Sequence, residues 1–331
     1  MRTLVSHFYN EEFLLPFWID HHKNFFDNAL LIDYGSTDSS LEIIQDRAPK
    51  NWKVVKTNNK NFDAFLVDHE LMEYEKKIKG WKIALNTTEF LISSDLDKIE
   101  SYCDKNNITG FFTESAVMVD NNPNIQLENN DLVTNKYFGF RESEFDFTKF
   151  NFDWYQVPSR NRIYHKNLTG KYHPGRHETF DTDINISKNS ILILWYGFSP
   201  WNKNFLSRKL NIRNKISEKD ISNRLGTQHL LDEGELNKIR EKLLSISRDL
   251  RSDIKIYRDN NDFYIKKKNP EITNHIVLNR NHNYDITCKN NEIKQLNEEI
   301  KLLSEINIKM ANEPIFNIIQ NRIKSKFFSK D

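Results

Sequence analysis

Residues 3–38 read TLVSHFYNEEFLLPFWIDHHKNFFDNALLIDYGSTD, and their alternation of short apolar runs with an amphipathic segment decides the fold. Residues 3–7 and 29–33 are mostly apolar and flanked by polar or turn-forming residues, which predicts two strands. Residues 11–24 carry large apolar side chains at helical spacing, which predicts a helix between them. This order favours a parallel strand pair joined by a crossover helix.

The same alternation continues beyond the opening stretch. A helix, a strand, a helix and a strand are predicted at residues 36–46, 53–56, 63–77 and 81–86. Strands that alternate with helices are typical of an α/β domain. We therefore expect a Rossmann-like, mostly parallel sheet flanked by helices on both faces.

The rest of the chain is less regular and becomes helical towards its end. Further elements are predicted as strands at 110–119, 161–165 and 191–196, a helix at 233–250, a strand-like stretch at 253–282, and helices at 291–310 and 315–328. We expect an α/β domain over residues 1–230 and a mainly helical C-terminal extension over residues 231–331.

Composition limits the classes of partner. Lys and Arg number 48 against 47 Asp and Glu, and this balance gives no reason to expect a nucleic-acid partner. The two cysteines, Cys103 and Cys288, cannot build a disulfide framework or a CxxC metal site. Together with the lack of any long apolar run, this favours a cytoplasmic protein, either free or docked on the inner face of a membrane.

Polar side chains follow three of the predicted strands at the point where each strand ends. They are His7, Tyr9, Asn10 and Glu11, then Asp33, Gly35, Ser36, Thr37 and Asp38, and finally Asn86, Thr87, Thr88 and Glu89. Ligands of open parallel sheets bind at this edge, where a carboxylate accepts hydrogen bonds and free helix N–H groups favour anions. The alternative is a set of ordinary capped turns. A dinucleotide-binding domain is disfavoured, because SHFYNEE lacks the required glycines.

Several of these segments together resemble the family 2-like glycosyltransferases of GT-A fold. The similar blocks are YNEEFLLPFWIDHH (9–22), LLIDYGSTDSS (30–40), FDAFLVDHELMEYE (62–75), GWKIALNTTEFL (80–91) and SRNRIYHKNLTGKYHPGRHETF (159–180). The resemblance covers roughly residues 1–230. It implies a GT-A-type sheet and transfer of a sugar from a nucleoside-diphosphate donor to a hydroxyl of a glycan, a lipid-linked sugar or a glycoprotein.

The resemblance also implies roles for individual residues. Tyr9, Glu11 and Asp33 would hold the base and ribose, and Asp68 would line the same pocket. His7, Asn10 and Ser36 are assigned to this nucleotide-sugar pocket from their positions at the strand ends. Asn86, Thr87, Thr88 and Glu89 occupy the positions of the family's metal motif. Arg160, Arg162 and His177 would lie near the diphosphate or the acceptor.

One departure from the family pattern bears on the metal. Where the family has Asp-x-Asp, this chain has Asn86-Thr87-Thr88, and Glu89 is the carboxylate that remains. Mg²⁺ and Mn²⁺ prefer anionic oxygen ligands, so three explanations stay open. In the first, no metal is required, because basic side chains neutralise the diphosphate; the candidates are Arg160, Arg162, Lys171, Arg176 and His177. In the second, Glu89 and His177 hold a metal weakly. In the third, the chain is a non-catalytic relative that binds a nucleotide or a glycan.

An inverting transfer needs one general base beside the acceptor oxygen. The candidates are Glu114, Asp153 and Glu178, and the alternative for each is a solvated surface carboxylate. Pro174 and Gly175 predict a turn that carries Arg176 and His177 over the diphosphate. In the aromatic run over residues 138–155, Trp154 and Tyr155 are predicted to be exposed on the acceptor side, with core packing as the alternative for the run. Gln228 and His229 are weaker candidates.

Two features of the C-terminal extension suggest partners. Apolar residues at heptad spacing predict a short coiled coil and a homodimer, or packing on the main domain: Ile293, Leu296, Ile300 and Leu303. The last helix combines an apolar face with Lys and Arg, which is typical of a helix lying on an anionic membrane. A docked terminal helix is the alternative.

Overall fold

The computed structural model describes residues 1–124, 131–144, 160–181, 184–222, 226, 229–259 and 262–267. All of them belong to one compact unit, Met1–Lys268. The elements of its first half are β1 (Arg2–Phe8), α1 (Leu15–His22), β2 (Asn28–Asp33), α2 (Ser40–Arg47), β3 (Lys53–Lys56), α3 (Ala64–Glu75), β4 (Trp81–Ala84), β5 (Glu89–Ile92), α4 (Leu96–Lys105), β6 (Gly110–Phe112) and β7 (Glu114–Val119). Those that follow are α5 (Leu132–Asn135), β8 (Phe138–Arg141), β9 (Ile163–His165), β10 (Asn185–Lys188), β11 (Leu192–Phe198), α6 (Lys203–Asn211), α7 (Glu218–Ser222), α8 (Glu233–Leu244), β12 (Arg248–Asp249), α9 (Arg251–Asp259) and β13 (Tyr264–Lys267).

The larger sheet has eight strands in the order β13-β10-β6-β9-β4-β1-β2-β3. Strands β4, β1, β2 and β3 pair in parallel, as the strand–helix alternation predicts. Strand β9 is antiparallel to both β4 and β6, and β13 is antiparallel to β10. The fold is therefore α/β with a mixed sheet.

Alternate side chains of the larger sheet enter two separate cores. Leu4 of β1 and Leu31 of β2 face the core that contains α1 and α2, whereas Val5 and Ile32 face the core that contains Leu71 of α3. This follows from the two-residue period of a strand. Full burial of each such side chain contributes about 1.5–3 kcal/mol, so both faces of the sheet are held against helices.

A second sheet, in the order β12-β8-β7-β11-β5, extends the first core. Strand β5 runs antiparallel to β11 and places Glu89 opposite Trp195. The Trp18 indole N–H of α1 donates to the carbonyl oxygens of Asn86 (3.1 Å) and Glu89 (3.0 Å). A buried aromatic side chain thus fixes the turn between β4 and β5.

Several elements differ from the sequence-based prediction. The helix predicted at 233–250 ends at Leu244, and residues 248–249 form β12. The strand predicted at 81–86 ends at Ala84, because the chain turns at residues 86–88 and starts β5 in the second sheet. Helix α4 was not predicted, although Asp95 caps it and Leu96, Ile99 and Cys103 are its buried residues. The prediction of a strand-like stretch was wrong over residues 253–259, which belong to α9.

The chain divides into compact units after Lys268. Leu236 and Leu243 of α8 lie in the main core, and β13 pairs with β10, so residues 231–259 and 262–267 pack with the α/β part. The helices predicted at 291–310 and 315–328, with their roles in dimerisation and membrane contact, lie outside the described residues. Within the part of the chain that the structure describes, no helix has the length and apolar character to cross a membrane.

Candidate functional site

The ends of β1 and β2 lie side by side and their following loops are bonded together. Phe8 is in register with Asp33. The Asn10 N–H donates to Ser36 Oγ (3.1 Å), and the Thr37 N–H donates to Asn10 Oδ1 (2.8 Å). Asn10 has a φ of 51°, a left-handed conformation that asparagine tolerates better than most residues. The predicted meeting of these two strand ends is therefore observed.

Asp33 shapes the second of these loops. Its Oδ1 accepts a hydrogen bond from the Ser36 N–H at 2.9 Å, and its side chain is buried. Gly35 lies between them with a φ of 80°, where a side chain would strain the backbone. The carboxylate is thus held at the edge of the sheet by the turn that follows it.

An aromatic cluster lies next to these loops. The rings of Tyr34 and Phe62 stack with centroids 4.6 Å apart, and the His7 ring meets both edge-on. Tyr9 contacts Phe62 at 6.3 Å, and Lys215 Nζ lies 4.5 Å from the Tyr9 ring centre. Tyr9, Phe62 and Lys215 are partly exposed and form a wall that suits a flat, polar ligand, whereas the Tyr34 ring is buried behind Phe62.

His7 is held in its neutral form. Burial lowers its pKa well below the ordinary value, and the charges of Arg176 and Arg162 lower it further. Its Nδ1 atom is buried and has no hydrogen-bond partner among the described residues. An unpaired buried ring nitrogen costs free energy, so His7 is suited to bond a ligand here.

Glu11 has a different partner from the predicted nucleotide. It is buried and forms a two-pronged ion pair with Arg208 of α6, in which Nη2 lies 2.7 Å from Oε1. Its backbone N–H donates to Ser40 Oγ at 2.8 Å. The pair ties the loop after β1 to α6.

Glu89 and Arg162 form a second ion pair beneath the strand ends. The side chains of Glu89 and Arg162 are 0% and 1% exposed, and Arg162 Nε donates to Glu89 Oε2 at 2.8 Å. The Arg162 Nη2 group donates to Oε1, and the Asn86 N–H also donates to Oε2 (2.8 Å). Both oxygens of Glu89 are therefore engaged.

Arg176 joins the turn after β9 to the end of β4. It donates to Asp68 Oδ1 of α3 and, through Nη2, to Asn86 Oδ1 at 2.6 Å. The Gly175 N–H donates to Asp68 Oδ2 at 2.7 Å, while its carbonyl accepts from Arg162. The residues around Pro174 form a turn rather than a helix, as the Pro-Gly pair predicts.

These contacts test whether the family's metal would fit. Asn86 and Glu89 already bond Arg176 and Arg162, and a divalent cation beside two guanidinium groups would be repelled. His177 Nδ1 lies 3.2 Å from the Asn161 carbonyl oxygen. The residues that the structure describes include no group of three or more His, Cys, Asp or Glu placed to hold a metal ion. The donor set present does not fit Mg²⁺ or Mn²⁺.

The pKa of His177 is also lowered well below its usual range, by burial first and then by Arg162 and Arg160. Thr87 and Thr88 are buried in the turn before β5, where the Thr88 carbonyl accepts from the Tyr196 N–H at 2.7 Å. Lys171 is exposed and lies 3.8 Å from Asp181. Four of the predicted basic residues therefore lie near one another: Arg160, Arg162, Arg176 and His177. The charge of Arg160 is one of those that lower the pKa of His177.

The candidate bases Glu114 and Glu178 lie in different surroundings. The Glu114 carboxylate accepts from Arg141 Nη2, the Tyr257 hydroxyl and the Asn189 N–H, each at 2.6 Å. It anchors the second sheet to α9 and is not joined to the cluster at Asn86. Glu178 is exposed beside His177, and Asp153 lies outside the described residues, as do Trp154, Tyr155 and Gln228.

Sequence reasoning missed several residues of the site. Phe62, Lys215, Arg208 and Lys209 come from the loop before α3 and from α6 with the 3-10 turn after it. The sequence KNFLSRKLNIRNK over 203–215 carries many basic residues, which is the signal that was present. A basic helix is ordinarily solvated, so this signal alone does not indicate a site.

No protein-family model matches this chain, and no curated protein matches it either. The functional interpretation therefore depends on the site geometry and on the motifs of the sequence.

Proposed function

We propose that the chain is a glycosyltransferase that moves a sugar from a nucleoside-diphosphate donor to an acceptor hydroxyl. One observation carries the proposal: the loops after β1 and β2 meet beside a cluster of aromatic rings, while Arg176 bonds Asn86 at the end of β4. A nucleoside diphosphate has a flat base, a polyhydroxyl ribose and a strongly anionic group. An aromatic wall, a carboxylate and arginines offer one partner for each.

The base and ribose are assigned to the wall and to Asp33. The base would pack against Tyr9 and Phe62, with His7 as a neutral hydrogen-bonding group. Asp33 Oδ1 bonds the Ser36 N–H, so Oδ2 is the oxygen proposed to accept from a ribose hydroxyl. This assignment follows the motif resemblance for Tyr9 and Asp33 and adds Phe62, which the buried ring of Tyr34 supports from below.

The fold proposed is of the GT-A type. Its support is the parallel block β4-β1-β2-β3, with helices α1 and α2 packed on one face and α3 on the other. The strand ends of this block carry the residues assigned to the donor. This is where ligands bind in open α/β sheets.

The reaction proposed is a single displacement with inversion and without a metal ion. The acceptor oxygen attacks the anomeric carbon as the bond from that carbon to the phosphate oxygen breaks, and the base takes the hydroxyl proton. The bonding pair leaves with the diphosphate, whose charge fixed cations would stabilise. Glu178 and Asp153 remain candidates for the base, and the engaged carboxylate of Glu114 argues against it.

A non-catalytic binding protein is the second proposal. The observation in its favour is that Asn86 and Glu89 bond arginines where the family resemblance implies metal ligands. Such a protein would bind a nucleotide or a glycan without turnover. Product formation in EDTA separates the two proposals.

The experiment is a screen of nucleoside diphosphates and nucleotide sugars by thermal shift and donor hydrolysis, with Mn²⁺ and with EDTA. We expect one nucleotide to raise Tm equally in both conditions, and Asp33→Asn to remove the shift. Asp46→Asn on the exposed face of α2 is the matched control and should leave it intact. The absence of stabilisation by every nucleotide would contradict both proposals that involve a nucleotide.

A further inference from the structure

We propose that the hairpin over residues 170–180 carries an acceptor site, where a sugar ring stacks on the exposed phenyl ring of Phe180. The inference rests on the proposed function and deepens it, because it makes the acceptor group a sugar ring rather than a protein or lipid hydroxyl. We call the solvent-facing side of this hairpin the outer face, and its residues are Lys171, His173, Glu178 and Phe180.

Backbone hydrogen bonds define the hairpin and the direction of its side chains. The His173 N–H donates to the Glu178 carbonyl oxygen at 3.1 Å, and the Phe180 N–H donates to that of Lys171 at 2.9 Å. Tyr172 lies between these two bonds and forms an antiparallel bridge to the opposite strand. Since side chains alternate along a strand, the buried Tyr172 faces the protein and its neighbours form the outer face.

A buried network holds the inner side of the hairpin. The Tyr172 hydroxyl donates to Glu75 Oε1 at 2.7 Å, and the Gly170 N–H donates to Glu75 Oε2 at 2.8 Å. His165 Nε2 lies 3.0 Å from the same hydroxyl, and the side chains of Glu75 and His165 are both 0% exposed. Asp68, about two turns earlier on the same helix, fixes the tip of the hairpin. A ligand therefore finds this surface already ordered, which lowers the entropic cost of binding.

Phe180 and His173 are stacked on the outer face. Their ring centroids are 3.7 Å apart, with an angle of 24° between the ring planes. Phe180 is nevertheless 58% exposed, so the imidazole covers one face of its ring and the other face meets solvent. The negative face of an aromatic ring attracts weakly positive C–H groups, which a pyranose presents on its apolar side. The open face of Phe180 thus offers a flat surface to one sugar ring.

Charged groups flank this ring. Lys171 lies opposite Phe180 across the hairpin, with its side chain 59% exposed and its Nζ 3.8 Å from an Asp181 carboxylate oxygen. Glu178 is exposed and precedes Phe180 by two residues, which is about 7 Å along an extended strand. A carboxylate accepts hydrogen bonds from sugar hydroxyls, and an ammonium group donates to them. An apolar plane with such groups at its rim fits a saccharide better than a lipid chain, which would bury them beside hydrocarbon.

The position of the hairpin links this site to the proposed reaction. Arg176 at the tip donates to Asn86 Oδ1 at the end of β4, at 2.6 Å, and Glu178 follows two residues later. Glu178 is a candidate for the base, so a sugar stacked on Phe180 would have its hydroxyls on the side of that carboxylate. The proton of the attacking hydroxyl would pass to Glu178 as its oxygen bonds to the anomeric carbon, and the bonding pair would leave with the diphosphate.

The test is saturation-transfer NMR on the full chain with the methyl glycosides of glucose, galactose, mannose and rhamnose, without nucleotide. We expect at least one glycoside to bind, with the strongest transfer to the C–H protons on one side of its ring. Phe180→Ala should weaken that binding by about fivefold or more. Phe180→Tyr keeps the aromatic face and should keep the affinity within about twofold.

Leu168→Ala is the matched control for the loss of an exposed apolar side chain. Leu168 is 68% exposed and lies in the turn before the hairpin, and its replacement should leave glycoside binding unchanged. Both residues are exposed, so neither replacement is expected to unfold the chain. A Phe180→Ala variant that binds as well as the wild type would overturn the proposal, as would a wild type that binds none of the four glycosides. Equal weakening by Leu168→Ala would do the same, because it would indicate non-specific apolar contact.

Nucleotide binding separates this inference from the proposed function. Glycoside binding that depends on Phe180, without binding of any nucleotide, contradicts the proposed transferase and leaves the saccharide site standing. A nucleotide that raises Tm, with no glycoside bound, contradicts the saccharide site alone. When both ligands bind, Phe180→Ala should raise the KM for the glycoside by the same factor as its Kd. An unchanged KM would overturn the assignment of the bound sugar as the acceptor.

Discussion

Arg162 donates to both carboxylate oxygens of Glu89, and neither side chain has appreciable contact with solvent. Removing one partner of such a pair leaves a buried, uncompensated charge. Buried pairs respond asymmetrically, since replacing both partners by apolar residues is often neutral.

We therefore expect Arg162→Met to lower the free energy of unfolding by about 3–5 kcal/mol. The double variant Arg162→Met with Glu89→Leu should recover most of that loss, because no charge is left unpaired. Urea unfolding measures both quantities. A double variant as unstable as the single one would show that the pair itself, rather than the orphaned charge, stabilises the fold.

Replacement of the buried Asp220 is expected to stabilise the fold to an extent that depends on pH. Burial, with a smaller contribution from Asp63, raises its pKa from 3.8 to about 6, although the Ala64 N–H donates to Oδ2 at 2.7 Å. Because the folded pKa exceeds the unfolded value, charging Asp220 destabilises the fold, fully above pH 6 and not at all below the unfolded pKa.

Asp220→Asn should accordingly raise Tm at pH 7.5 and lose this advantage as the pH falls from 6 towards 4. The amide oxygen can still accept from Ala64. Asp46→Asn, an exposed substitution on α2, is the control and should show no such trend. A gain that is equal at pH 4 and pH 7.5 would contradict the assignment.

Replacement of Lys209 is expected to stabilise the fold with the opposite dependence on pH. Burial lowers its folded pKa to about 7 from the ordinary value of 10.5, so its charge opposes folding. This penalty is complete below pH 7 and declines as the pH rises from 7 to 10.5. Lys209→Met should raise Tm at pH 6.5 and much less at pH 9.5, measured by thermal denaturation. A gain that grows with pH would refute the placement of the ammonium group.

A side chain added at Gly139 of β8 is expected to destabilise the fold for steric reasons. A Cβ atom there would lie 2.1 Å from the Val117 carbonyl oxygen of the neighbouring strand. Backbone cannot yield easily, so Gly139→Ala should destabilise the chain by about 3 kcal/mol. Gly234→Ala in the first turn of α8 meets only a side-chain oxygen, at 3.3 Å, and should be close to neutral. Urea unfolding compares the two.

Much of the larger sheet follows from local patterns. Strand β3 spans the predicted residues, and β1 and β2 extend the predicted ones by one or two residues, because apolar runs bounded by turns carry this information locally. The meeting of Asn10 with Ser36 also follows, since parallel strands end at the same edge.

The charge pairs of the site could not be predicted. Glu89 and Arg162 are separated by 73 positions, and an arginine or glutamate in sequence is ordinarily a surface residue. Which residue neutralises which depends on how the turn at Pro174 and helix α6 approach the strand ends. The same holds for Lys209, whose apolar surroundings arise from Trp195 and Phe198 of a different element.

The ion pair between Glu11 and Arg208 joins positions 197 residues apart. During translation, the strand that ends near Glu11 emerges long before α6 exists. At ordinary rates of synthesis of about 5–20 residues per second, the carboxylate waits roughly 10–40 s for its partner. A nascent chain halted before α6 keeps the first strands but has an unneutralised acid at their edge. The edge of the sheet that we propose binds the donor is therefore completed late in biosynthesis, well after the sheet that carries it.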